Sequence, residues 1–138
     1  MISIVIPKNV TTIGSHVFDG CSSLKTITID SENMRYDSRN ACNAIIETST
    51  NKLLYGCSTT TIPDGVTSIE DYAFYNCYNL NFIRIPKTVI SIGSKAFYNC
   101  NGFDTIIVEN GNAIYDSRDN CNAIIETSTN TLILGCNN

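Results

Sequence analysis

Ile62–Ile85, IPDGVTSIEDYAFYNCYNLNFIRI, decides the fold, because Ile85–Val108, IPKTVISIGSKAFYNCNGFDTIIV, repeats it at once. The two stretches lie 23 residues apart and align without a gap. A third copy, IPKNVTTIGSHVFDGCSSLKTITI, runs from Ile6 to Ile29. Self-similarity at a fixed period of roughly 20–50 residues marks a repeat architecture in which each unit forms one coil of a solenoid.

The spacing inside the unit says how the chain lies. Leu24, Ile27 and Ile29 correspond to Leu80, Ile83 and Ile85, and to Phe103, Ile106 and Val108. Apolar residues at the first, fourth and sixth positions predict a short strand entered through an irregular turn. Pro7, Pro63 and Pro86 follow these strands and end the ladder, since proline has no N–H to donate. A second apolar pair recurs as Val10/Ile13, Val66/Ile69 and Val89/Ile92. Phe18, Phe74 and Phe97 precede Cys21, Cys77 and Cys100 by three residues, a spacing that predicts one face of a short helical turn. Met1, Ile4 and Ile6 fit the strand template one period before Leu24, so the chain is expected to open in mid-coil, as a window on a longer array. A 23-residue coil cannot bury its own apolar edge. Neighbours must stack and share one core, Ile on Ile and Phe on Phe. The expectation is an α/β-type repeat solenoid of short parallel strands and short helical turns, one domain over 1–138, with coils near 6–29, 62–85 and 85–108.

Residues 30–61 break this period, and 109–138 nearly copy the break. Shifting the chain by 79 positions overlays Ile6–Thr59 on Ile85–Asn138, with about half of the positions identical. Asn43–Thr48 and Lys52–Cys57 are apolar runs joined by Ser49–Asn51, and Asn122–Thr127 and Thr131–Cys136 repeat the design. Each reads as a β-hairpin insert. Tyr36–Asn51 and Tyr115–Asn130 differ only at Asn40/Asp119 and Ala41/Asn120. Asp37, Ser38, Arg39, Asn43 and Glu47 read either as a displayed polar site or as side chains an irregular coil needs for its turns, with Arg39 paired to Asp37. The second reading is preferred, and a recent duplication would also explain the identity.

The string IPxxVxxIgxxAFxxCxxLxxIxIP resembles the BspA-like leucine-rich repeat of surface proteins in gut and oral bacteria and some parasitic protists. The segment YDSRxxCNAIIETxTNxLxxGC resembles an irregular insert of the same class. The resemblance covers nearly the whole chain and departs from it only in detail. Val17 stands where Ala73 and Ala96 sit, Glu70 replaces the glycine of Gly14 and Gly93, and Phe103 replaces leucine. It implies a right-handed leucine-rich repeat superhelix with two hairpin inserts. It also implies an extracellular or cell-surface location and adhesion to a host protein, another cell or a glycan.

Composition narrows the rest. The chain has 138 residues, 43% apolar and 16% charged, with nine Lys and Arg against 13 Asp and Glu. A net charge of −4 argues against nucleic acid, whose phosphates need a basic face. No run of 18 apolar residues predicts a membrane-spanning helix, and no charged-then-apolar signal peptide opens the sequence. Zinc needs closely spaced ligand pairs, yet the nearest cysteines, Cys42 and Cys57, are fifteen apart. A nucleophile needs a base, and the one histidine, His16, lies on a variable repeat position occupied by Lys95 in the third coil. Asp116–Asn122 is oxygen-rich, but Arg118 takes the third place and no glycine follows, so a calcium loop is not expected. No metal, cofactor or catalytic residue is expected. The Asn9-Val10-Thr11 sequon fits glycosylation only in a secreted eukaryotic chain. The seven cysteines are expected to be reduced and mostly buried as small hydrophobes. The rival reading bridges Cys42 to Cys57 and Cys121 to Cys136.

Outward positions of successive coils make one broad face, the usual binding surface of a solenoid. On the strands these include Lys25 and Thr28, then Phe82 and Arg84, then Asp104 and Ile107. Over the turns they include Tyr75, Tyr78 and Tyr98, stiff amphipathic rings suited to protein contacts or stacking on sugars. The plainer reading of these tyrosines is that they shield the convex side. The expected function is a non-catalytic recognition module. The alternative is a structural spacer that self-assembles end to end, because Met1–Ile6 and the last hairpin leave apolar solenoid ends.

Overall fold

A computed structural model describes residues 2–136, so the part of the strand template that falls on Met1 lies outside the described residues. Strand β1 (Ser3–Ile6) pairs in parallel with β2 (Thr26–Ile29), one coil later. Ile4 lies opposite Ile27 and Ile6 opposite Ile29, so equivalent residues of the repeat stack. The first insert then supplies β3 (Tyr36–Asp37), β4 (Ala44–Glu47) and β5 (Lys52–Gly56), all antiparallel. The β4–β5 hairpin turns through left-handed Asn51 (φ 56°), a conformation asparagine tolerates better than most residues. The next two coils contribute β6 (Ser68–Ile69) with β7 (Phe82–Ile85), and β8 (Ser91–Ile92) with β9 (Thr105–Val108). Strands β7 and β9 pair in parallel, with Ile83 opposite Ile106 and Ile85 opposite Val108. The second insert repeats the first as β10 (Tyr115–Asp116), β11 (Ala123–Glu126) and β12 (Thr131–Gly135).

One joint ties insert to coil. The outer edge of β5 pairs in parallel with β6, Lys52 opposite Ser68 and Leu53 opposite Ile69, and β6 pairs with β8 in the same way. A five-stranded sheet, β3-β4-β5-β6-β8, therefore runs along one side of the solenoid. Inward side chains fill the space between this side and the parallel strands. Ile62, Ile69, Phe74, Leu80, Ile83 and Ile85 are all fully buried. The Phe74 and Phe97 rings stack with centroids 5.0 Å apart at 12°. Each such side chain contributes roughly 1.5–3 kcal/mol against the entropy of ordering the coil. A smaller core gathers Ile6, Leu24, Ile27, Tyr36, Ile45 and Cys57 beneath the first coil.

The turns expected to be helical are not. From Tyr72 to Cys77 in the second coil the chain makes two overlapping hydrogen-bonded turns, Tyr75 N–H to Tyr72 O and then Cys77 N–H to Phe74 O. Left-handed residues sit in both turns: His16, Tyr72 and Lys95 in the first (φ 60°, 58° and 53°), Gly20, Asn76 and Asn99 in the second (φ 76°, 60° and 60°). A helix of L-residues does not continue through that conformation. The architecture is thus a β-solenoid. Among the described residues, 3-10 turns occur only in the inserts, at Arg39–Ala41 and Arg118–Asn120.

The inserts hold themselves in place. Arg39 grips Asp37 with two hydrogen bonds of 2.7 and 2.6 Å and reaches Asn51 Oδ1 at 2.9 Å, while Thr48 bonds the same carboxylate at 3.1 Å. Arg118, Asp116, Asn130 and Thr127 repeat the arrangement. Arg35 closes on Glu47 at 3.0 Å, and the Ser38 hydroxyl donates to Ile27 O at 3.0 Å. These polar residues thus brace the hairpin against its own coil. Buried Asn33 bolts insert to coil, its amide donating to Pro7 O and Val10 O while its oxygen accepts the N–H of Arg35 and Tyr36. Asn112 does the same with Pro86, Val89, Ile114 and Tyr115.

All seven cysteines are free. Cys42 and Cys57, a candidate bridge, belong to two different cores. Cys42, Cys57 and Cys100 are buried, whereas Cys121, the repeat partner of Cys42, is exposed.

Candidate binding surface

The double turn with its left-handed residues aims side chains outward along one edge of the solenoid. Between the second and third coils these turns bond directly: Tyr72 N–H to Ser94 O, Phe74 N–H to Ala96 O and Asn76 N–H to Tyr98 O. That ladder fixes Tyr75 over Tyr98, with centroids 5.6 Å apart and rings 12° from parallel. Tyr72 meets Tyr75 edge-on at 5.7 Å, and His16 meets Tyr72 at 5.1 Å. Lys95 Nζ lies 5.8 Å from the Tyr72 centroid and 5.7 Å from that of Tyr98, within cation–π range of both. Four rings and one ammonium thus form a continuous strip across three coils.

The first insert opens a gap beside this strip. Where a regular coil would supply a turn, the insert supplies only the hairpin end at Tyr55–Cys57. Gly56 N–H donates to Ala73 O on one side, and Tyr55 OH donates to Gly14 O at 2.8 Å on the other. The first coil therefore stands away from the second, leaving a cleft of about 340 Å³ lined by Gly14, His16, Asp19, Tyr55, Glu70, Asp71 and Tyr72, among others. Its charges are organised. His16 Nδ1 lies 3.1 Å from Asp19 Oδ2, Glu70 pairs with Lys52 at 3.0 Å, and Asp71 Oδ1 accepts the Ser94 N–H at 2.7 Å. Burial raises the Tyr55 phenol above its ordinary range, which keeps it a neutral donor to Gly14. Rings and carboxylates of this kind can hold hydroxyl-bearing or cationic groups. Among the described residues, no three His, Cys, Asp or Glu side chains group to hold a metal.

The residues expected from sequence fall into separate patches. Tyr75 and Tyr98 lie together in the strip, and Tyr78 is exposed beyond them. Phe82 and Arg84 point outward from β7, beside Thr105 and Ile107 of β9, with Asp104 exposed just before that strand. Arg84 is already engaged, 2.9 Å from Glu109 and 3.4 Å from Asp64. Lys25 and Thr28 are exposed at β2, whose sheet is separate from that of β7 and β9. Sequence reasoning missed His16, Tyr72, Lys95 and Tyr55. The first three share one repeat position, and its variability concealed their common outward aim.

The family model for the BspA type leucine rich repeat region matches residues 1–52 and 45–133, in six copies. The chain belongs to the BspA-type leucine-rich repeat family. Among solved structures it is similar to a leucine rich cell surface protein from Faecalibacterium prausnitzii, at 34% identity and a TM-score of 0.63 over 79% of this chain and 29% of that one. A leucine-rich repeat protein from Eubacterium ventriosum is 29% identical, with a TM-score of 0.52 over 77% of this chain and 36% of that one. The pneumococcal vaccine antigen PcpA, 22% identical with a TM-score of 0.66 over 80% of this chain and 28% of that one, shares the fold. This BspA-type chain thus spans about a third of the length of its solved relatives. No curated protein matches it. The family is one of binding repeats, and no enzyme family is indicated. Among the described residues no helix is long and apolar enough to cross a membrane.

Proposed function

We propose that this chain is a non-catalytic recognition module of a cell-surface or secreted protein, and that it binds a protein or glycan through the turn edge. The carrying observation is the unbroken strip His16–Tyr72–Tyr75–Tyr98 with Lys95 set between two of its rings. Such rings present large contact area at low entropic cost, and few residues of other types bind as strongly. The cell-surface description of the Faecalibacterium prausnitzii relative supports the location. The neighbouring cleft, with Tyr55 and Asp71 on its walls, gives the strip a recess in which one ligand group can be enclosed.

The test is a binding screen against matrix proteins and glycans, followed by Tyr75→Ala/Tyr98→Ala beside Lys25→Ala/Arg84→Ala. Loss of a hit by at least about tenfold in the first variant, with the second unchanged, is expected when aromatic anchors carry the contact. The opposite pattern would move the site to the strand face.

A further inference from the structure

The cleft between the first and second coils collects carboxylates on both of its walls. One wall is Gly14–Asp19 of the first coil, the other is Glu70–Tyr72 of the second, and Tyr55 of the hairpin lies between them. Its volume of about 340 Å³ suits a single side chain or a single sugar ring. Among the described residues its lining includes Asp19, Glu70 and Asp71 and no lysine or arginine. These acids depart from the repeat. Glu70 and Asp71 stand where the other coils carry Gly14–Ser15 and Gly93–Ser94, and Asp19 stands where they carry Tyr75 and Tyr98. Their own contacts answer the charge only in part. Glu70 meets Lys52, Asp19 meets the imidazole of His16, and Asp71 accepts one backbone N–H, each through a single oxygen. One lysine against three carboxylates leaves the cleft negative, in a chain whose net charge is −4. The rings beside it already hold a cation. Lys95 Nζ lies 5.8 Å from the centroid of Tyr72, a wall residue of the cleft, and 5.7 Å from that of Tyr98.

We propose that this cleft takes a basic side chain, arginine or lysine, of a partner protein whose apolar contacts lie on the adjoining Tyr75–Tyr98 strip. The inference rests on the recognition reading above and narrows it to a protein with a basic residue at the contact. The cationic head lies between Asp19 and Asp71 with the Tyr72 ring beside it, and its methylene stem runs over Leu54 and Tyr55. The free oxygen of each carboxylate accepts from the head, and a guanidinium can donate to both walls at once. A neutral sugar could donate hydroxyls to the same oxygens. It would leave their charge unanswered while shutting out water, the costlier arrangement. Negative charge also steers a basic partner towards the chain, and the association weakens with salt.

An NMR titration of the isotope-labelled chain with acetyl-Gly-Arg-Gly-amide tests the proposal. The citrulline peptide, the same shape without the charge, and a set of methyl glycosides are the comparison probes. The arginine peptide should shift the amide signals of Gly14, Ser15 and Tyr72 at millimolar concentrations, and the citrulline peptide should bind at least about tenfold more weakly. Asp19→Asn/Asp71→Asn keeps the size of both side chains and an acceptor for the Ser94 N–H while removing two charges. It should lower the arginine affinity at least about tenfold, with circular dichroism confirming the fold. Equal binding of the citrulline peptide, an undiminished arginine response in the asparagine variant, or no shift at the cleft overturns the proposal. Cleft shifts from a methyl glycoside alone also overturn it and assign the cleft to a sugar. A screened partner that is lost on Tyr75→Ala/Tyr98→Ala but indifferent to Asp19→Asn/Asp71→Asn would overturn the cleft assignment and leave the role of the strip standing.

Discussion

Gly56→Ala offers a quantitative check on the packing, with Gly135→Ala as its internal control. Gly56 has no left-handed φ, so alanine suffers no backbone strain there. On conformational grounds alone the change should stabilise by about 0.4–1 kcal/mol. The tertiary contact reverses the sign. The new methyl carbon falls 2.1 Å from one Phe74 ring carbon and 2.7 Å from two others, against roughly 3.5–4.0 Å for an ordinary carbon contact. Phe74 must therefore retreat by about 1.5 Å, but it is fully buried and stacked on Phe97. Overpacking of this kind costs about 1–3 kcal/mol, occasionally more. For a chain of this length that is a fall in Tm of about 3–15 °C. Thermal melts by circular dichroism read the difference. Gly135→Ala should melt within a degree or two of wild type, and adding Phe74→Leu to Gly56→Ala should recover part of the loss. Equal melts for the two alanine variants would refute the idea that Phe74 sits over Gly56.

The cysteines and the insert carboxylate give two further predictions. Burial pushes the Cys100 thiol up to about 12 and the Cys77 thiol higher still, so a thiol reagent near pH 8 should label exposed Cys121 fast and Cys77 and Cys100 only on unfolding. Seven thiols should be counted after denaturation, and three or five would show disulfides. Partial burial opposes ionisation of Asp37, but the hydrogen bonds and charge of Arg39 outweigh it and hold its carboxyl below the ordinary 3.8. A lowered folded-state pKa stabilises the protein above the unfolded value and is lost as pH falls through the folded value. The urea midpoint should therefore drop as the pH goes below about 4. Asp37→Asn should flatten that drop, and an unchanged slope would remove Asp37 from the acid response.

Much of the fold was legible because a solenoid writes the same local instruction several times. The ladders of Ile27, Ile83 and Ile106, the proline stops and both hairpins follow from repeat spacing alone. The Phe-x-x-Cys spacing suits a helical turn and a β-turn equally, because both bring residues three apart into hydrogen-bond reach. The left-handed conformation of Tyr72 and Lys95 separates the two, and neither residue type signals it. Among the inserts' polar residues, Asp37 and Arg39 were read correctly as a brace. Asn33 and Asn112 are identical amid differing neighbours, a pattern that marks a structural polar residue without saying which backbone groups it bonds. The aromatic strip was half legible. Tyr75 and Tyr98 repeat at one position, whereas His16 and Tyr72 are brought together by an insert whose missing turn is visible only in space.

The sequence by itself determined the period, the inward ladder and the duplication, since each depends on which side chains recur at which spacing. Tertiary structure decided what those identical pieces do. Gly56 and Gly135, Leu53 and Leu132, and Cys42 and Cys121 are paired by the duplication and separated by their surroundings. Among the described residues, the first of each pair is covered by the chain packed over it and its counterpart is more exposed or has open space beside it. Burial depends on which chain packs above a residue, and a local motif does not encode its neighbour.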